Sequence, residues 1–148
     1  MEKEFVVRGK IEQEYSWSAG IAGSRFLQEL KENGRIVGTK CSFCKRTVLP
    51  PRIFCEKCFN KMEEWEVLSD EGTVYTFCIS NVGIQAEKLE KPVIVAIINI
   101  DGAEGGIYHY LGEVDEKDVK IGMRVKAVFK NKEEREGSIL DIKYFKPI

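Results

Sequence analysis

Four of the five cysteines in this 148-residue sequence form two close pairs. Two residues separate Cys41 from Cys44, two separate Cys55 from Cys58, and ten residues lie between the pairs. This spacing lets both sulfurs of a pair reach one ion, and the second pair completes a tetrahedron. Because four thiolates leave no open coordination position, the pattern predicts a structural zinc ion and not a metal that takes part in catalysis.

The same cysteines allow two other interpretations. Redox-active Cys-x-x-Cys pairs usually lie at the start of a helix within a βαβ unit, and no such pattern surrounds these cysteines. An iron centre of the rubredoxin type uses the same four ligands. The sequence therefore disfavours a redox dithiol and leaves the choice between zinc and iron open.

The remaining nucleophilic and basic side chains do not form a convincing catalytic set. The only histidine, His109, lies within a predicted strand. The favoured interpretation is a histidine packed in or on the wall of the β-barrel that residues 69–148 are predicted to form, as described below. Cys78, the fifth cysteine, also lies within a predicted strand, and a small buried thiol usually behaves as a hydrophobic residue. A hydrolase or thioesterase built on Cys78 and His109 would need an orienting third group, and none is evident. We predict no catalytic residue in this chain.

Charge and hydropathy narrow the class of protein. The sequence has 23 basic and 24 acidic residues, so it lacks the basic excess that dedicated nucleic-acid binders use to neutralise phosphates. Lys45, Arg46 and Arg52 cluster beside the cysteines, and we predict that they bind phosphates, either of a nucleic acid or of a nucleotide-bearing cofactor. No apolar stretch is long enough to span a bilayer, and residues 1–10 are too charged for a signal peptide. These features predict a cytoplasmic protein with no membrane partner.

We predict that residues 1–35 form an extended arm followed by one short helix. Up to Ala22 the sequence shows short apolar runs without a period. Ser24 is typical of an N-cap for a helix over residues 25–32, which Asn33 and Gly34 would end. An isolated two-turn helix is marginal in water, so it should dock on its own chain or on a partner.

The rest of the chain predicts a mainly β fold. Residues 36–68 hold the cysteines and are predicted to form a rubredoxin-like zinc ribbon, which is too small to build its own core. In residues 69–148, apolar runs and alternating patterns are separated by turn residues, as in a five-stranded barrel of the OB type. The predicted strands cover residues 73–79, 93–98, 107–114, 124–130 and 140–144.

Four aromatic residues in these strands leave a second function open. Tyr75, Phe77, Tyr108 and Tyr110 could stack against bases, as aromatic side chains do in OB-fold proteins that bind single strands. The alternative is a barrel core with one exposed face, and the charge balance favours that alternative. A single-stranded nucleic-acid-binding module is therefore the second hypothesis.

Residues 23–147 resemble a known family, the zinc-ribbon and OB-fold proteins called domain of unknown function 35 (DUF35). The resemblance rests on the order of ribbon and barrel and on a Pro-Pro-Arg sequence between the cysteine pairs. The motifs that carry it are Ser24-Arg25-Phe26-Leu27, Leu49-Pro50-Pro51-Arg52, Phe54-Cys55-Glu56-Lys57-Cys58, Gly72-Thr73-Val74-Tyr75-Thr76-Phe77, Pro92-Val93-Ile94-Val95-Ala96, Leu111-Gly112-Glu113-Val114 and Ile121-Gly122-Met123-Arg124-Val125.

The resemblance implies a non-catalytic partner of thiolase-superfamily enzymes. Members of the family associate with acetoacetyl-CoA thiolase, and in archaea they bridge it to hydroxymethylglutaryl-CoA (HMG-CoA) synthase for mevalonate synthesis. Others pair with thiolases of anaerobic aromatic degradation, such as benzoylsuccinyl-CoA thiolase, or of steroid side-chain breakdown. The resemblance also implies acyl-CoA binding, with coenzyme A as a bound ligand whose pantetheine arm the barrel helps to enclose. We expect the arm around residues 15–20 to wrap a partner.

Overall fold

The computed structural model describes residues 5–7, 9, 13–83 and 86–148. One helix is followed by eight strands, which confirms the predicted mainly β class. The elements are α1 (Gly20–Asn33), β1 (Val37–Cys41), β2 (Arg46–Leu49), β3 (Glu64–Val67), β4 (Glu71–Val82), β5 (Lys88–Ile100), β6 (Glu104–Leu111), β7 (Arg124–Phe129) and β8 (Ile142–Pro147), with 3₁₀ turns at Lys132–Glu134 and Ile139–Asp141 before β8. No helix in the described part of the chain is long and apolar enough to cross a membrane.

Helix α1 begins five residues before the predicted start. The hydroxyl of Ser18 accepts a hydrogen bond from the Gly20 N–H at 3.1 Å, so Ser18 satisfies an amide that the helix leaves free. The prediction that Ser24 caps the helix is therefore wrong, and residues 20–22 are helical instead of part of an extended arm. The end is as predicted, because Gly34 takes a left-handed conformation and its N–H donates to the Leu30 carbonyl.

The helix docks on its own chain. Phe26 and Leu30 are buried and belong to the same apolar cluster as barrel residues such as Ile142. At the surface of the contact, the Arg25 guanidinium lies 4.4 Å from the centre of the Trp65 ring. Burial of two large apolar side chains supplies the stabilisation, roughly 2 kcal/mol each, that a helix of this length lacks in isolation.

The eight strands form one continuous sheet. Its order is β3-β1-β2-β6-β5-β4-β7-β8, and a parallel pairing of Leu111 with Phe145 joins β6 to β8. Strands β4 to β8 therefore close into a five-stranded ring, which confirms the predicted OB-fold. Strands β1 to β3 form the ribbon and continue the sheet outward, because β2 pairs in parallel with β6 at Val48↔Glu104 and Leu49↔Gly105.

The junction between ribbon and ring depends on a glycine. Gly105 has a φ of 96°, and a Cβ atom at this position would lie 2.1 Å from the Leu49 carbonyl oxygen. Any other residue would push β2 away from β6. The close approach of the two strands is therefore built into the sequence at this one position.

The larger of two apolar clusters in the described residues joins the helix, the edge of the ribbon and the ring. Its fully buried members include Leu30 from the helix, Ile36 beside the ribbon, and Ile98 and Phe145 from the ring. The ribbon has only a small cluster of its own around Val48, Met62 and two cysteines. The prediction that the ribbon cannot build an independent core agrees with this arrangement.

Strand β5 starts earlier than the predicted residue 93. It begins at Lys88 and runs through Pro92, which the sequence analysis placed just outside the strand. The register shifts here, since Ser80 pairs with Val93 while Val82 pairs with Lys88. Pro92 has no partner in the ladder, so its missing N–H costs the sheet no hydrogen bond.

Candidate functional site

The two cysteine pairs sit in turns of the same geometry. Lys45 donates its backbone N–H to the Cys41 carbonyl at 2.8 Å, and Phe59 donates to the Cys55 carbonyl at 2.9 Å. Lys45 and Phe59 both have positive φ angles, which side chains other than glycine and asparagine rarely adopt. Each turn reverses the chain directly after its second cysteine and so directs both sulfurs inward.

The four sulfur atoms lie close enough to share one ion. All lie within 4.8 Å of one another, with 3.5 Å between Cys41 and Cys58 and 3.9 Å between Cys44 and Cys55. A tetrahedral zinc ion with Zn–S bonds of about 2.3 Å separates its sulfurs by roughly 3.8 Å. The donor set and its spacing therefore fit a metal that four thiolates hold.

Hydrogen-bond donors surround the sulfurs. The Cys44 N–H donates to the Cys41 sulfur at 3.3 Å, and the Asn60 side-chain amide donates to the Cys58 sulfur at 3.5 Å. The Lys57 backbone N–H is the main cause that lowers the pKa of Cys55 to about 6. The Cys58 thiol, and then burial, raise the pKa of Cys44 to about 12. The opposite pKa shifts of Cys44 and Cys55 follow from their closeness, because two negative charges at short range would repel each other.

Arg46 links the second pair of cysteines to the ring. It stands opposite Cys41 in the β1–β2 ladder. Its two terminal nitrogens donate to Glu56, in the second turn, and to Glu104, on β6. Only 10% of its side chain is exposed.

The structure brings together two of the three cations predicted to bind phosphate. Arg52 also donates to Glu56, at 3.0 Å, so Arg46 and Arg52 share one carboxylate. Lys45 is exposed on the left-handed turn and stands apart from this pair. A phosphate would compete with Glu56 for both arginines, and the predicted role of the three residues stays a prediction.

Cys78 and His109 face opposite sides of the sheet. Cys78 pairs with Val95 while His109 pairs with Ala96, and successive residues of a strand point in opposite directions. Cys78 is exposed, so its interpretation as a buried thiol is wrong. The structure does not bring the two together as nucleophile and base.

His109 belongs to the core, as the sequence analysis favoured. It is 3% exposed, and burial lowers its pKa, which favours the neutral ring. Its Nδ1 accepts the Tyr110 N–H at 2.9 Å, so the proton of the neutral ring lies on Nε2, which donates to the Ile139 carbonyl at 3.2 Å. Both nitrogens are thus used within the fold.

The four aromatic residues predicted as a stacking platform do not share one surface. Tyr108 and Tyr110 lie on the outer face of β6, and Tyr108 is 67% exposed. Phe77 is half-buried against the core instead. Tyr75 is exposed at an irregularity of β4, where the pairing with β5 skips it.

An apolar groove of about 890 Å³ runs along the outer face of β4, β5 and β6. Its walls include Val82, Leu89, Val93, Tyr110 and Tyr144. Among the described residues that line it, Lys143 is the only basic one and Glu87 the only acidic one. Sequence reasoning missed this groove. The signal was present in Tyr108 and Tyr110, two even-numbered aromatic residues of β6, which mark a second face that is not fully polar.

A second apolar surface lies on the ribbon. Phe43, Phe54 and Phe59, here called the ribbon phenylalanines, are all exposed although they lie in or beside the two turns. Exposed apolar side chains mark a contact surface where they form a contiguous patch, so these three residues make the ribbon a candidate for such a surface. In the sequence, the position of each phenylalanine next to a cysteine was the signal that could have predicted its exposure on a turn.

Comparison with known proteins shows the family. Residues 29–63 match the family model described as ChsH2, rubredoxin-like zinc ribbon domain, and residues 65–130 match ChsH2, C-terminal OB-fold domain. A DUF35 domain-containing scaffold protein of Methanocaldococcus jannaschii is 34% identical over 128 residues, which cover 84% of this chain and 89% of the relative.

Two solved structures have similar folds. A DUF35-family protein of unknown function from Sulfolobus solfataricus is 36% identical, with a TM-score of 0.63 over 74% of this chain and 78% of that one. The Ltp2-ChsH2(DUF35) aldolase is 19% identical, with a TM-score of 0.63 over 84% of this chain and 93% of that one, a level of identity that shows the fold alone. The chain belongs to the DUF35 family.

Proposed function

We propose that this DUF35-family chain is a non-catalytic accessory subunit, which docks on a thiolase-superfamily enzyme and helps to hold an acyl-CoA thioester. The observation that carries the proposal is the outer groove of β4 to β6. It offers an apolar surface with one accessible thiol, Cys78, and the only histidine of the chain lies on the other side of the sheet.

The relatives support a partner enzyme. The M. jannaschii relative is described as a scaffold protein, and one structure of the same fold is that of an aldolase in which a DUF35 protein accompanies Ltp2. The partners we propose are an acetoacetyl-CoA thiolase, with or without HMG-CoA synthase, or a thiolase of anaerobic aromatic degradation such as benzoylsuccinyl-CoA thiolase. The ribbon phenylalanines supply a second contact surface for such a partner.

The groove suits the apolar part of a CoA thioester better than its phosphates. Its volume lies in the range of small-molecule sites, and most of its lining residues are apolar or aromatic, with Ser80, Glu87 and Lys143 among the rest. Among the described lining residues, Lys143 is the one cation and Glu87 the one acidic residue. We therefore place the acyl or pantetheine portion on this chain, and we expect the partner to supply most of the charge that meets the phosphates.

In the same proposal, Cys41, Cys44, Cys55 and Cys58 hold a structural zinc ion. When bound, the ion would cross-link the two turns of the ribbon, which have almost no core of their own. The ribbon phenylalanines would then be held in fixed positions. The proposed units are an arm and helix at 1–35, a ribbon at 36–68 and an OB-fold at 69–148.

Docking can be tested by co-expression with candidate thiolases and size-exclusion chromatography. Tyr108→Arg places a cation in the groove wall and should weaken the complex at least tenfold. Ile121→Arg is the matched control, since Ile121 is equally exposed but lies in the loop before β7. A chain that elutes alone and leaves the thiolase activity unchanged on mixing would refute the proposal, as would equal effects of the two variants.

The second candidate, single-stranded nucleic-acid binding, has one observation in its favour. Tyr108 and Tyr110 lie side by side on an OB-fold face, where stacked bases would fit. Such binding would weaken steeply as salt is added, because it depends on counterion release. Absence of binding to a labelled single strand at low salt would exclude this candidate.

A further inference from the structure

One buried polar atom of this protein lacks a partner. Among the described residues, the Nε of Arg46 is the sole buried side-chain nitrogen or oxygen without a hydrogen bond. The two terminal nitrogens of the same guanidinium are already used by Glu56 and Glu104. A buried N–H with no acceptor is destabilising, so its place in a stable fold calls for an acceptor.

The available acceptor is a cysteine sulfur. Arg46 stands opposite Cys41 in the β1–β2 ladder, and Glu56, which holds its Nη1, directly follows Cys55. The pKa of Arg46 is raised by its bonds to Glu104 and Glu56 and, in addition, by the neighbouring Cys55 sulfur. The guanidinium thus lies against the second pair of cysteines.

The charge of a loaded site makes this contact favourable. A divalent ion with four thiolates carries a net charge of about −2, and such a charge is costly to bury without donors or a cation beside it. The Cys44 amide and the Asn60 side chain provide two donors to the sulfurs of Cys41 and Cys58. The Cys55 sulfur, which lies beside Arg46, has the backbone N–H groups of Lys57 and Cys58 as donors, and neither of these groups carries a positive charge.

We propose that the Nε–H of Arg46 donates a hydrogen bond to the Cys55 thiolate when the four cysteines hold a metal ion. Arg46 is then a positioning residue that acts from outside the coordination sphere, and the inference rests on the metal centre in the proposed function. Through Glu104 the same side chain connects the ion to β6. The Arg46 guanidinium therefore links the Cys55 thiolate of the ribbon to the Glu104 carboxylate of the ring.

Cadmium-loaded wild-type protein gives the direct test. In a proton–cadmium-113 correlation spectrum, a hydrogen bond to a metal-bound sulfur transmits coupling, so we expect a cross-peak from the Arg46 Nε proton. The Cys44 amide should give a cross-peak as an internal reference. A spectrum with the Cys44 peak and no Arg46 peak would overturn the inference alone. Failure of the protein to bind one cadmium ion would overturn the metal centre as well.

Variants loaded with iron give a second readout. A hydrogen bond to a thiolate favours the reduced, more negative centre, so its loss should shift the reduction potential to a more negative value. Arg46→Lys keeps the positive charge but removes this N–H and should show the shift. Glu104→Gln removes one carboxylate partner, leaves the Nε in place and should not show it. Equal potentials for Arg46→Lys and wild type would contradict the inference.

Discussion

Lys45 and Phe59 occupy equivalent positions, each directly after the second cysteine of a pair, with φ angles of 57° and 58°. Their backbone amides also make the same hydrogen bond, to the first cysteine of the pair. The two turns are thus repeats of one local structure, although their sequences share little beyond the cysteines. The cysteine spacing is the feature that the two turns have in common.

We expect Lys45→Gly to stabilise the metal-loaded protein. Glycine adopts a left-handed conformation without the roughly 1 kcal/mol that other residues pay there, which outweighs its greater freedom in the unfolded chain. The free energy of unfolding, measured by denaturant titration, should rise by about 0.5 kcal/mol. Ser42→Gly is the control in the same turn, where φ is not positive, and should lower stability instead.

Removal of one ligand should loosen the ribbon and spare the ring. Cys44→Ser is expected to lose stoichiometric zinc, because the ribbon's own core is too small to hold the two turns together without the ion. Hydrogen exchange should then speed up at amides of β1 to β3, while the amides of β4 and β5 keep their protection. Cys78→Ser is the matched control and should keep one zinc ion. Full zinc content in Cys44→Ser would contradict the prediction.

The glycine at the junction can be tested against a second glycine of similar backbone conformation. Gly105→Ala would place its Cβ against the Leu49 carbonyl, whereas Gly122 has a φ of 86° and open space around it. Both variants carry the strain of a left-handed alanine, about 1 kcal/mol. Gly105→Ala should cost at least 1 kcal/mol more, and its β2 amides should lose protection from hydrogen exchange. Equal losses of stability would argue against the contact.

The lowered pKa of the buried Asp141 carboxyl predicts how the free energy of unfolding depends on pH. Burial by itself would raise its pKa, but the N–H groups of Glu136, Gly137 and Ser138 outweigh burial and hold the pKa below the usual 3.8. A carboxyl whose pKa is lower in the folded state stabilises the fold above its unfolded pKa and loses that contribution as the pH falls. The loss should therefore begin below about pH 4 and continue to lower pH.

Replacement of Asp141 separates this effect from general acid sensitivity. Asp141→Asn should lower the free energy of unfolding at pH 7 by about 2–3 kcal/mol, since an amide serves three N–H donors poorly. Its stability should then fall less than that of wild type between pH 5 and pH 3. Asp115→Asn, in an exposed turn, should stay within about 0.5 kcal/mol of wild type. If the stability of Asp141→Asn falls as steeply with pH as that of wild type, the acid sensitivity does not come from Asp141.

Structural features that depend on residues close together in the sequence could be predicted. The spacing of Cys41 to Cys58 indicated the paired turns, and alternation in the second half of the chain indicated the five ring strands. Boundaries were less predictable, because Ser18 and Ser24 are equally good caps and only the position of the helix on the core decides between them. Strand β5 likewise passes through Pro92 because a register shift, which no local pattern encodes, leaves that residue unpaired.

Long-range contacts could not be predicted from one sequence. The exposure of Cys78 depends on which face of the sheet meets the core. The approach of Arg46 to Glu104 joins residues 58 positions apart, and it exists only because β2 lies beside β6. The sequence shows the arginine only as a cation beside the cysteines, whereas in the fold it also donates to the carboxylates of Glu56 and Glu104.

The parallel pairing of β2 with β6 has a consequence for recognition by a partner. The ribbon phenylalanines and the outer groove are connected through hydrogen-bonded strands and not through a tether, so the distance between them is a property of the fold. A partner that fits both surfaces gains the second contact without ordering a linker, and a partner with its sites at another spacing can use only one. The fixed distance between the two surfaces therefore selects partner enzymes whose own contact sites have the same spacing.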